Sequence, residues 1–114
     1  MPQESFGDYT VRKRAAAESG LTDGEEDISG DGVEGDLDDV TAFTLYLGVS
    51  EDTAIDVSVF LSPDGEFWYE PDESPVSVAS DNSSSIEHIP YNATAIRLVG
   101  NNATPVRAQI REVV

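Results

Sequence analysis

The chain has 114 residues, with 12 Asp and 11 Glu against six basic residues and a formal charge of −17. That length holds one domain, and that charge opposes direct contact with nucleic acid or an anionic membrane, both of which need a basic footprint. Cysteine is absent, which removes disulfides, thiolate metal ligands and thiol nucleophiles.

Residues 1–22 carry three acids and three bases and so have no net charge. Phe6, Tyr9 and Val11 lie beside the basic triplet Arg12, Lys13 and Arg14. The stretch TVRKRAAAES allows two or three helical turns, with Thr10 as cap and Gly20 as stop. The expectation is an N-terminal arm that grips an acidic partner. This zone has no apolar signal-peptide core, and no run in the chain approaches the ~18 apolar residues of a membrane span, so neither secretion by a recognisable route nor membrane insertion is expected.

Residues 23–39, DGEEDISGDGVEGDLDD, carry nine acids and no base. Gly and like charge together predict an extended, solvated linker. Within it Asp27, Ser29, Asp31, Gly32 and Asp38 fall at the first, third, fifth, sixth and last positions of a calcium-binding EF-hand loop. Glu34 stands where that loop has an apolar residue, Asp38 replaces the long bidentate Glu, and no helix is predicted to follow. The loop is a weak cation candidate, and no cofactor or specific metal site is expected.

From residue 40 to 114 the pattern is that of strands. Phe43, Leu45, Leu47 and Val49 alternate with Thr44 and Tyr46, and Ile55, Val57, Val59 and Leu61 alternate with Asp56, Ser58 and Phe60. Period-two alternation marks half-buried strands. Ser62-Pro63-Asp64-Gly65 is a turn, after which Phe67–Tyr69 is predicted to resume a strand. Further strands are predicted around Val76–Val78, Ile86–Ile89, AIRLVG and PVRAQIREV. Seven short strands separated by turns predict a small, jelly-roll-like β-sandwich. So small a core, with no staple, favours oligomerisation or docking on a larger assembly.

The last two strands are read as a hairpin, with Ile96, Leu98, Val106, Ala108 and Ile110 on one face. Arg97, Arg107 and Arg111, half of all basic residues, then share the other, either as local charge balance or as a contact for an acidic neighbouring subunit. Catalysis has little material. His88 is the only histidine, and Ser83, Ser84 and Ser85 have no indicated base and orienting group; an enzyme is not expected. Asn82, Asn92 and Asn102 begin N-x-S/T triplets, read as turn chemistry rather than glycan acceptors. Trp68 and Tyr69 are candidates for a sugar-stacking platform, although a sandwich Trp more often sits in or over the core.

Lysine occurs once in the chain. A carboxylate surface with few lysine stems stays hydrated where molar salt shortens screening to about 3 Å, the habit of haloarchaeal proteins and of viruses in such hosts. SPDGEFWYE, followed by IPYNATAIRLVGNNATPVRAQI, resembles a pattern in small β-sandwich structural proteins of tailed viruses, over about residues 55–112. Discoidin-like carbohydrate-binding domains use similar segments. They are far longer, however, with a common cysteine pair and an aromatic where Ala95 precedes Ile96-Arg97. The viral resemblance implies a virion component, best a capsid decoration protein docking on the major capsid protein or other virion subunits through its arm. It would be oligomeric and assembled in a high-salt host cytoplasm. A glycan- or receptor-binding module on a virion and a head–tail connector or tail component are the alternatives.

Overall fold

The computed structural model describes residues 21–112 and arranges them in seven antiparallel strands. They are β1 (Val33–Val40), β2 (Phe43–Val49), β3 (Ile55–Ser62), β4 (Val76–Val78), β5 (Ser83–Ile89), β6 (Ala93–Gly100) and β7 (Arg107–Glu112). One sheet has the order β1-β6-β3-β4 and the other β5-β2-β7. The described residues contain no helix, and the all-β sandwich predicted from alternation is the observed architecture. Only β3 and β4 are consecutive strands of one sheet; every other connection crosses between sheets.

The alternation reads directly as burial. Phe43, Leu45, Leu47 and Val49 of β2 meet Val57, Val59, Ile96 and Leu98 of the facing sheet in a single hydrophobic core. Ala108 and Ile110 of β7 complete it.

Three expectations need correction. The predicted final hairpin does not exist: β6 lies in one sheet and β7 in the other. Alternation separates inward from outward residues but is silent on which sheet a strand joins, so Ile96 and Ile110 face across the core instead of lying side by side. Residues 67–69 form no strand, and Tyr69 alone bridges to Leu61. The third correction concerns the acidic linker.

Residues 23–39 are built into the sandwich. Glu26 pairs with Val106, Ile28 accepts a hydrogen bond from the Gly100 amide at 2.9 Å, and β1 pairs with β6 from Val33↔Leu98 to Val40↔Ala93. Leu37 and Ile28 are fully buried. The strand obeys the period-two rule with Glu34 and Asp36 pointing out and Val33, Gly35 and Leu37 pointing in. A glycine at one inward position and acids at the outward ones hide that pattern. The calcium-loop resemblance of Gly32 also has a packing origin. Its φ is +77°, and a Cβ there would strike the Leu98 carbonyl oxygen and Val99 Cγ2, so only glycine lets this turn lie against β6. Of the predicted arm, Leu21 and Thr22 join the fold by hydrogen bonding Ala108; Phe6, Tyr9, Val11, Arg12, Lys13 and Arg14 lie outside the described residues.

Leu37→Ala should lower the unfolding free energy by about 2–5 kcal/mol, the usual range for truncating a buried leucine. Urea denaturation in molar salt measures it, and a residue on a solvated tether would change stability by less than about 0.5 kcal/mol.

Candidate interaction surfaces

The outer face of the three-stranded sheet is built from the residues alternating with its core positions. Thr44, Tyr46 and Gly48 of β2 lie between Ser84, Ile86 and His88 of β5 and Arg107, Gln109 and Arg111 of β7. The register forms three rows: His88–Thr44–Arg111, Ile86–Tyr46–Gln109 and Ser84–Gly48–Arg107. None of these nine positions is acidic, although the described residues hold 20 acids and three arginines. Ile86 is 64% exposed and Tyr46 38%, so the centre of the face is apolar. Arg107 crosses Gly48, where a Cβ would come within 3.0 Å of its guanidinium. Glu25, held by the Ser50 hydroxyl at 2.8 Å, approaches Arg107 to 3.7 Å from the rim.

The third arginine is elsewhere. Arg97 points outward from β6, so it lies on the opposite side of the molecule from Arg107 and Arg111. The expectation that the three share a face is therefore overturned by the division of β6 and β7 between the sheets. The Arg97 Nε donates to Glu34 Oε2 at 3.0 Å, and the guanidinium carbon lies 4.5 Å from the centre of the Trp68 ring. The pair closes one side of an open cavity of about 520 Å³ bordered by Asp31, Phe60 and Val99. Trp68 is thus half-buried over the outside of the sheet rather than in the core, where Val, Ile and Leu already fill the inward positions. A planar guanidinium offers the indole a cation–π partner instead.

The turn before Trp68 is pinned by Asp64. Its Oδ1 accepts the amides of Glu66 at 2.8 Å and Phe67 at 3.1 Å and the Ser62 hydroxyl at 3.1 Å. The two backbone amides hold the Asp64 carboxyl below its ordinary range, with the Ser62 hydroxyl adding to them against the opposing effect of burial. Phe67 and Tyr69 leave this turn 62% exposed each, so Trp68 and Tyr69 do not form one platform: Tyr69 turns toward Pro71 and Tyr91.

The calcium-loop residues serve the chain itself. Asp27 Oδ1 accepts the Ser29 hydroxyl at 2.6 Å and the Ser29 amide at 2.9 Å, which together lower its pKa. Asp31 borders the Trp68 cavity, and Asp38 falls within β1. Among the described residues no group of three or more His, Asp or Glu could hold a metal ion. Ser83 and Ser85 donate to the carbonyls of Ser80 and Ser77 at 2.7 and 2.6 Å, tying β5 to the β4 corner, while His88 is exposed. Asn102 spends its amide on the Ala54 carbonyl and the Thr104 amide.

Tyr46, Ile86 and Tyr91 were not singled out as site residues by the sequence reading. The available signal was a large apolar residue at an outward strand position or in a turn, where soluble domains usually carry polar ones. No protein family, curated protein or solved structure matches this chain. Fold and surface chemistry therefore carry the functional reading.

Because the folded Asp64 carboxyl is held below its unfolded value of about 3.9, its contribution is present above that value and lost as pH falls through the lower folded one. Trp68 fluorescence should report a turn opening in that acid window. Asp64→Asn, which keeps an acceptor oxygen but does not titrate, should remove this step from the titration.

Proposed function

We propose that this chain is a non-catalytic structural subunit that docks on an acidic protein shell. The shell suggested by the sequence resemblance is the capsid of a tailed virus in a high-salt host. One observation carries the reading. On a body dominated by carboxylates, the outer face of β5-β2-β7 presents Arg107, Arg111, Tyr46 and Ile86 with no acid among its nine outward positions.

A face of that kind discriminates by charge. An acidic neighbour meets like charge over much of the described surface, whereas this face supplies guanidinium groups that can bind carboxylates in bidentate geometry. Molar salt screens the long-range attraction, so the contribution comes from contact pairs around a desolvated centre. Tyr46 and Ile86 form that centre, the arrangement of apolar core and polar rim found in specific interfaces. Leu21 and Thr22, the last two residues of the expected arm, hydrogen bond Ala108 of β7.

The test is co-sedimentation with purified shells in molar sodium chloride. Ile86→Ser combined with Arg111→Glu leaves the Arg107–Glu25 contact intact, and both residues are exposed, so the melting temperature should hold. Attachment should weaken by about tenfold or more, equivalent to about 1.4 kcal/mol. Full occupancy by the doubly substituted protein would remove the face from the interface.

A further inference from the structure

A separate cleft opens at the end of the sandwich, between the connection that follows β3 and the short link from β5 to β6. Its volume is about 360 Å³, at the small end of ligand sites. Leu61 forms part of the wall, and Tyr69 and Tyr91 stand at the mouth, 62% and 40% exposed. Glu70 and Asp72 line it, and no basic side chain among the described residues does.

We infer that this cleft binds a quaternary ammonium group. Two exposed tyrosine rings beside an apolar wall offer negative π faces to a bulky, weakly hydrated cation, which sheds its water more readily than a primary ammonium does. The carboxylates supply the matching charge. Glu73, next in sequence to Asp72, lies beside the cleft rather than lining it, and its Oε1 is buried with no hydrogen-bond partner among the described residues. The Tyr91 phenol reports the same field, pushed above its ordinary range first by the charge of Glu73, then by burial, by a hydrogen bond to Glu73 and by the charge of Asp72. A neutral sugar would stack on the same rings but gain little from that field, and an anion would be repelled. The complementarity is specific to a cation with an apolar body.

The same group occurs on a free solute such as choline and on a phosphatidylcholine headgroup, and the experiment separates them. Isotope-labelled full-length chain is titrated with choline and with 3,3-dimethylbutan-1-ol, its neutral carbon isostere, while amide shifts are followed by NMR. Flotation with phosphatidylcholine vesicles forms the second arm. Choline should give saturable shifts confined to residues 61–63, 69–73 and 91–92, with the isostere about tenfold weaker or worse. Tyr69→Ala, Tyr91→Ala and Glu73→Gln should each weaken choline, whereas Ile86→Ser with Arg111→Glu should leave it unchanged. That last pair distinguishes failure here from failure of shell docking. Vesicle binding lost in the tyrosine variants assigns the group to lipid, and choline binding without flotation assigns it to a solute. Equal binding of the isostere, tighter binding of methyl glucoside, or no saturable shift at millimolar choline together with no flotation overturns the inference.

Discussion

The pairing of β6 with β1 on one side and β3 on the other is the constraint on which the rest of the molecule depends. Leu98 is opposite Val33 in one pairing and Val59 in the other. With both neighbours present, Ile96 and Leu98 are sealed against the facing sheet; without β1, β6 would become an open edge with half its backbone groups unpaired. The sandwich has no disulfide or helix among its described residues to compensate, so closure of this sheet is what makes so small a core sufficient. Gly32 makes the closure sterically possible, and Ile28 and Leu37 are buried in the core beneath it.

Two different chemistries then occupy the two outer faces. The face built on β6 carries its arginine folded in, held by Glu34 and stacked under Trp68, so its charge is largely consumed internally. On the other face Arg111 is exposed, and among the described residues the acid at the rim, Glu25, approaches Arg107. Local charge balance explains Arg97 well and the β7 arginines poorly. A single division of strands between sheets thus turns what reads as one row of arginines into two groups with different availability.

How much of this was readable from the sequence follows from what a side-chain period can encode. The strands of β2 and β3 were plain because Phe43–Val49 and Ile55–Leu61 alternate without interruption. Sheet membership was not, because inward residues look alike whichever sheet holds them. The strand Val33–Val40 was missed since Gly35 occupies an inward position and five acids populate the segment Glu34–Asp39 and its approach at Asp31; net charge outweighed the aliphatic Val33, Leu37 and Val40. The calcium-loop spacing falls on turn-forming residues, with Asp27 capping Ser29 and Gly32 clearing a carbonyl. Trp68 was placed by a general tendency of sandwich tryptophans, and that tendency yields when the core is already full and a guanidinium is at hand. The Tyr69–Tyr91 cleft joins turns far apart in the chain, and no local pattern announces such a meeting.

The crossing connections have a consequence for how the chain is made. Val33 must wait for Leu98, 65 positions later in the register, and at roughly 5–20 residues per second of synthesis that interval lasts seconds. Topologies dominated by distant pairings are also intrinsically slow to fold. A strand left unpaired for so long is a template for wrong partners, and charged residues along it are the usual protection. Glu34 and Asp36, together with the acids that precede them, provide that protection through mutual repulsion. The composition that disguises β1 as a linker is therefore also what lets the nascent strand stay solitary on the ribosome until β6 arrives.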